Sequence, residues 1–289
     1  MYTVTLKQQQ YKTYVLSEQA SGSELEVVPE RGGIITGWRV KGQEILYLDK
    51  ERFANPDLSV RGGVPILFPI CGNLPDNTYT YNAKQYTLKQ HGFARDLPWE
   101  IEEVSEDNTT YFKLHLVSNE QIKVVYPFDF HLSFSYKING NTLEIQQHLH
   151  NSSTTPIPFS TGFHPYFQAP DKTQLEFAIP AREYQDQRTK EIKFFSGNFD
   201  FNVDEIDVAF KQLTGKSATV TDNSRKLQLT LDYGDDYPIV VFWTLKGKDF
   251  YCLEPWSAPR NSLNTSENLT VLEPGASYQA SIRLTANFF

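Results

Sequence analysis

The sequence predicts an all-β protein built of stacked, mostly antiparallel sheets. Three observations carry that expectation. Apolar and polar residues alternate with a period of two in short runs along the chain, turn-forming residues separate the runs, and no long stretch keeps the 3.6-residue period of an amphipathic helix. Roughly 15 or more strands and a few short helices are expected, more strands than a small barrel holds.

Tyr2 to Leu6 alternates, as does Leu25-Glu26-Val27. Tyr111 to Val117, Phe130 to Ile138 and Leu143 to Leu149 repeat the pattern in mid-chain, and Leu227 to Leu231 and Tyr278 to Leu284 close it. Each reads as a half-buried strand with one face packed. Turn signals stand at Pro75-Asp76-Asn77, Asn139-Gly140-Asn141, Gly234-Asp235-Asp236 and Pro274-Gly275-Ala276. Polar stretches at 105–110 and 181–192 read as surface loops. No linker, low-complexity tract or fixed-length repeat interrupts the chain, so residues 1–289 are expected to form one domain.

The balance of 27 basic and 35 acidic residues, a net charge of −8, argues against nucleic acid, which wants a basic face. A local basic pocket for one small phosphate remains compatible with it. The N-terminus lacks the basic-then-apolar pattern of a signal peptide, and no apolar run is long enough to span a membrane, so a cytoplasmic protein without a membrane partner is expected. Cys71 and Cys252 lie in separate apolar runs and read as buried free thiols. No spacing resembles a zinc site, and His148 and His150 share one strand face without an evident third ligand, so no cofactor or metal is expected.

Four segments break the alternation with polar residues in apolar or glycine-rich company. They are Arg61-Gly62-Gly63-Val64-Pro65 with the following Ile66-Leu67-Phe68-Pro69, His91-Gly92-Phe93-Ala94-Arg95, Ser160 to Phe167 around His164, and Phe250 to Trp256 around Glu254. A carboxylate in an apolar strand needs a partner or a shifted pKa, and Pro255 places it at a strand end, where sites form. A buried acid–base pair can exchange the anomers of a sugar, because ring opening takes a proton from the C1 hydroxyl and gives one to the ring oxygen.

In their order along the chain, Pro-Ile-Leu-Phe-Pro, His-Gly-Phe-Ala-Arg, His-Pro-Tyr-Phe and Leu-Glu-Pro-Trp resemble the aldose 1-epimerase (mutarotase) superfamily, from about Gly32 to the last strand. The similarity is to the hexose-6-phosphate mutarotases (glucose-6-phosphate 1-epimerase) and to galactose-mutarotase-related proteins. It implies a β-supersandwich and a small-molecule sugar or sugar phosphate as partner. It also implies roles: His164 as the general acid on the ring oxygen, Glu254 as the general base on the C1 hydroxyl, and His91 as a group that holds or polarises the ring oxygen. Asp207 matches the aspartate that binds sugar hydroxyls, with Asp204 the other choice, and Trp256 is a further substrate contact. Pro165 stands where some relatives carry Thr.

His164 and Glu254 are expected in one pocket, on opposite sides of a pyranose, with their functional atoms on the order of 5–8 Å apart. Arg61 and Arg95 could clamp a sugar phosphate or pair with the acidic excess, and the segment Gly72 to Asn82 resembles the galactose branch instead, so the sugar stays open. A non-catalytic carbohydrate-binding protein of the same fold is the alternative. A glycosidase would want two carboxylates, and only Glu254 stands out.

Overall fold

The computed structural model describes residues 2–105 and 111–289. Two eight-stranded sheets and one five-stranded sheet account for most of it, and every paired strand in them runs antiparallel. The first eight-stranded sheet, here the outer sheet, has the order Leu175–Ala178, Ser217–Asp222, Leu227–Asp232, Ser277–Phe288, Thr142–Asn151, Phe130–Asn139, Tyr111–Val117, Glu100–Ser105. The second, the site sheet, runs Ile192–Phe194, Glu183–Asp186, Glu205–Phe210, Ile239–Leu245, Phe250–Trp256, Gly162–Phe163, Ile66–Leu67, with Tyr166–Gln168 also paired to Phe250–Trp256. The five-stranded sheet is formed by Tyr2–Gln8, Lys12–Glu18, Ser23–Val28, Ile34–Val40 and Gln43–Glu44.

Alternation decides which face is packed. In Phe130–Asn139, Leu132, Phe134, Tyr136 and Ile138 point inward and are buried, and the facing strand sends in Leu143, Ile145 and Leu149. The Gly140-Asn141 loop joins these two strands through a hairpin that closes on the Asn139–Thr142 pair, with Gly140 at φ 61°. The sheets meet in the core, where the rings of Phe134 and Phe163 lie 5.6 Å apart, edge to face. The five-stranded sheet joins the same core through Tyr14 against Phe112 and through the Tyr136 hydroxyl, which donates to the Gly33 carbonyl at 2.8 Å. Each strand expected from the alternation is a strand. The stretch 181–192 is not a plain loop: Glu183–Asp186 pairs with Ile192–Phe194 as a hairpin at the sheet edge, and its polarity reflects an edge exposed to water. In the stretch expected as a loop at 105–110, residues 106–110 lie outside the described residues. Cys71 and Cys252 are both buried and unpaired. Among the described residues no helix is long and apolar enough to cross a membrane.

Candidate active site

The site sheet has a core face and a pocket face, and Phe250–Trp256 shows how its sequence divides between them. Tyr251 and Leu253 join the main core, whereas Phe250, Cys252 and Trp256 belong to small apolar clusters on the opposite face. Glu254 shares that second parity and lies between the two clusters, 1% exposed. Register does the rest. Asp207 pairs with Trp243, Trp243 with Cys252, and Cys252 with Tyr166, while Glu254 pairs with Val241 and Trp256 with Gly162. Gly162 is needed for close approach, since a Cβ there would lie 2.6 Å from the Pro255 carbonyl oxygen.

His164 follows the short Gly162–Phe163 strand, and its backbone N–H donates to the Pro65 carbonyl at 3.0 Å. Pro165 lies between the Gly162–Phe163 and Tyr166–Gln168 strands, and His164 before it lines the pocket. The imidazole stacks on Tyr166 at 4.7 Å and meets the edges of Trp243 and His91 at 5.6 and 5.5 Å. His91 has a left-handed backbone, φ 65°, beside Gly92. The Gly72 N–H donates to His91 Nδ1 at 3.0 Å, which assigns the proton of the neutral ring to Nε2. Gly72, at φ 72°, also clears the way for Arg260, whose Cγ would lie 2.3 Å from an added Cβ.

The acid and base candidates touch: His164 Nε2 lies 3.3 Å from Glu254 Oε1. The Trp256 indole N–H donates to the other carboxylate oxygen at 3.0 Å. This separation is shorter than the 5–8 Å span expected from the sequence. That expectation put the two groups across a sugar ring, but the hydroxyl and ring oxygens of a hemiacetal are bonded to the same carbon, so groups serving them can be neighbours. Burial raises the Glu254 pKa well above the ordinary carboxylate value, with the charge of Asp207 adding to it. Burial lowers His164 far below the usual histidine value, and the Arg95 guanidinium pushes the same way. His91 is lowered by burial and by Arg95. Both partners of the pair thus resist carrying a lone charge.

The pocket, about 330 Å³, brings together all seven residues singled out from the sequence: Arg61, His91, Arg95, His164, Asp207, Glu254 and Trp256. Asp204 is exposed and does not line it. Asp207 accepts from Arg260 Nη2 at 2.8 and 3.1 Å, and burial raises its pKa against the pull of that guanidinium. Among the described residues no carboxylate lies within 4.0 Å of the Arg61 or Arg95 guanidinium, since neither forms an ion pair. Arg61 sits over the Trp243 ring at 5.8 Å, and Arg95 donates to the Gln90 carbonyl at 2.8 Å. Donor atoms of His164, Cys252 and Glu254 lie within 4.8 Å of one another, a set that could hold a metal, but Arg95, Arg260 and Arg61 place positive charge around it.

Sequence reasoning missed Arg260, Trp243, Tyr166, Gln90 and Glu205, which also line the pocket. Tyr166 was in view as part of the His164 motif. Arg260, four residues after Trp256, carries no pattern of its own, and Trp243 enters only through its cross-strand pairing.

Known proteins share this fold. The family model described as Aldose 1-epimerase matches residues 14–285. The structure of the Slr1438 protein from Synechocystis sp. PCC 6803 superposes with a TM-score of 0.95 at 43% identity, covering 100% of both chains. A galactose mutarotase-like protein from Clostridium acetobutylicum shares the fold, with a TM-score of 0.85 at 19% identity over 100% of this chain and 99% of the other. A protein of Cenchrus ciliaris named "Putative glucose-6-phosphate 1-epimerase" is 25% identical over 282 residues, 88% of this chain and 79% of its own length. A β-supersandwich with its polar pocket on one sheet face, matched to the family over nearly its whole length, places the chain in the aldose 1-epimerase family.

Proposed function

We propose that the protein interconverts the α and β anomers of a hexose or hexose 6-phosphate, with Glu254 and His164 as the proton-transferring pair. The observation that carries this reading is the 3.3 Å contact between His164 Nε2 and Glu254 Oε1 in a buried pocket. A pair that shares one proton is an acid and a base at once. With the proton on His164, Glu254 takes the proton of the C1 hydroxyl, the bond from C1 to the ring oxygen breaks, and His164 protonates that oxygen. Rotation about the bond from C1 to C2 presents the other carbonyl face. Closure returns both protons, so the cycle is balanced and needs no redox partner. Each positioned proton transfer is worth roughly 10²–10⁴ in rate. His91, whose Nε2 lies 3.3 Å from the Gln90 side-chain amide in the pocket lining, polarises the ring oxygen. Asp207, held by Arg260, accepts from sugar hydroxyls, and Trp256 offers a ring face.

The two arginines without carboxylate partners favour a phosphorylated sugar, and the Cenchrus ciliaris relative carries such a substrate in its name. Arginine binds phosphate through a planar fork of donors. The deciding experiment is anomer exchange measured by NMR on glucose, galactose and their 6-phosphates. Exchange no faster than in buffer for all four, together with measurable sugar binding, would instead establish the non-catalytic carbohydrate-binding alternative.

A further inference from the structure

We propose that the outer sheet carries a divalent transition-metal site of the zinc class, formed by Glu102, His115 and His131. It lies on a different sheet from the catalytic pocket, and none of its residues lines that pocket.

The site is assembled across three strands. Ser133 pairs with His115, and His131 pairs with Val117, so both imidazoles stand on the outward face of neighbouring strands. Their rings stack 5.1 Å apart at 26°. The third strand, Glu100–Ser105, is an edge strand with a register shift beside Leu114, where Lys113 pairs with Glu103 but Leu114 pairs with Ile101. The bulge leaves Glu102 unpaired and turns it toward His115, a common use of such irregularities. One nitrogen or oxygen from each of Glu102, His115 and His131 lies within 4.8 Å of the others. Bonds of about 2.0–2.2 Å to nitrogen and carboxylate oxygen would draw these atoms closer, and Glu102 reaches them from the sheet's edge strand.

Orientation of the donors points the same way. His115 Nδ1 is buried and makes no hydrogen bond, and Glu102 Oε2 lies 3.9 Å from it. On the far side of the ring, Nε2 lies 3.5 Å from Glu100 Oε2. A carboxylate behind a ligating histidine is the usual device for fixing its tautomer. Lys113 Nζ donates to Glu102 Oε1 at 2.6 Å, which steadies the carboxylate while leaving Oε2 available. Two imidazoles and one carboxylate suit zinc and its neighbours rather than calcium or magnesium, which prefer all-oxygen sets. A bound ion would tie the edge strand to its neighbours.

The test is calorimetric titration of untagged, chelator-treated full-length protein with zinc chloride, repeated with cobalt(II) and read by its ligand-field absorption. A single equivalent should bind and raise the melting temperature. His115→Gln and His131→Gln should each weaken binding by roughly 100-fold or more, and Glu100→Gln, behind the ligand, by about 10–100-fold. His148→Gln and Cys252→Ser should retain wild-type affinity, the latter separating this site from the catalytic pocket. Circular dichroism of each variant before titration establishes that it is folded. Absence of stoichiometric binding by the wild type overturns the proposal. So does undiminished binding by the folded His115→Gln/His131→Gln double variant, or loss of binding in Cys252→Ser.

Discussion

The pocket face of the site sheet and the outward face of the outer sheet use the same residue types under opposite conditions. Of the six histidines, His91 and His164 are buried in the pocket, whereas His115, His131, His148 and His150 stand on the outer face and keep part of their surface in water. Both faces pair histidine with glutamate. In the pocket, Glu254 touches His164 among Trp243, Trp256 and Tyr166, and burial drives the two pKa values in opposite directions from their usual places. On the outer face, Glu100 and Glu102 approach His115 where the carboxylates are 86% and 32% exposed. Period two put polar residues on each face. What separates the buried pair from the solvated one is the second layer of aromatic walls over the first face.

The largest expected difference between the faces is in catalysis. Glu254→Gln keeps the shape and the Trp256 contact but removes the base, and anomer exchange should fall by roughly 10²–10⁴ in a folded protein. Near-normal exchange by NMR would remove Glu254 from the mechanism. The outer-face variant His148→Ala should leave the same rate unchanged.

The pH dependence sharpens the contrast. In the proposed mechanism the pair is active while it holds one proton. A second proton must enter against a His164 pKa lowered by burial, so the acid limb of kcat/KM should lie below the ordinary histidine range. The shared proton leaves against a raised Glu254 pKa, so the alkaline limb should lie above the ordinary carboxylate range. A bell with both limbs belonging to the pair is expected, flat around neutrality. A single inflection near the ordinary histidine value would mean that a solvated group controls the rate.

Smaller effects should follow at the pocket rim. Arg61→Ala combined with Arg95→Ala should cost a 6-phosphorylated hexose about tenfold or more in kcat/KM, from one lost charge-assisted bond worth roughly 1.5–3 kcal/mol. The free sugar should lose little. Faster turnover of free glucose or galactose than of any hexose 6-phosphate by the wild type would make the arginines structural. Treatment with EDTA should leave anomer exchange intact, because the proposed pair moves protons without a metal; loss of activity restored by added metal would contradict this. The smallest change is expected in stability: His148→Ala, on a solvated face, should alter unfolding free energy within about 0.5 kcal/mol.

Much of this architecture was legible beforehand, because alternation is a local property. The strands around Phe134 and Ile145 announce their buried parity in the sequence itself, and Glu254 stands out because a carboxylate at the pocket parity of an apolar strand has few explanations. Edge polarity misled at 181–192, where an exposed hairpin has the composition of a loop.

The sequence by itself determined the all-β class and the buried parity of each strand, since these depend on side chains one or two positions apart; the proposed acid–base residues were marked by the resemblance of four separate motifs. The tertiary structure decided who meets whom. The 3.3 Å approach of His164 to Glu254, the Arg260 clamp on Asp207 and the gathering of Glu102, His115 and His131 join residues far apart in the chain or on different strands. Strand register and bulges set those encounters, and register is fixed only when the hydrophobic faces of whole sheets close on one another.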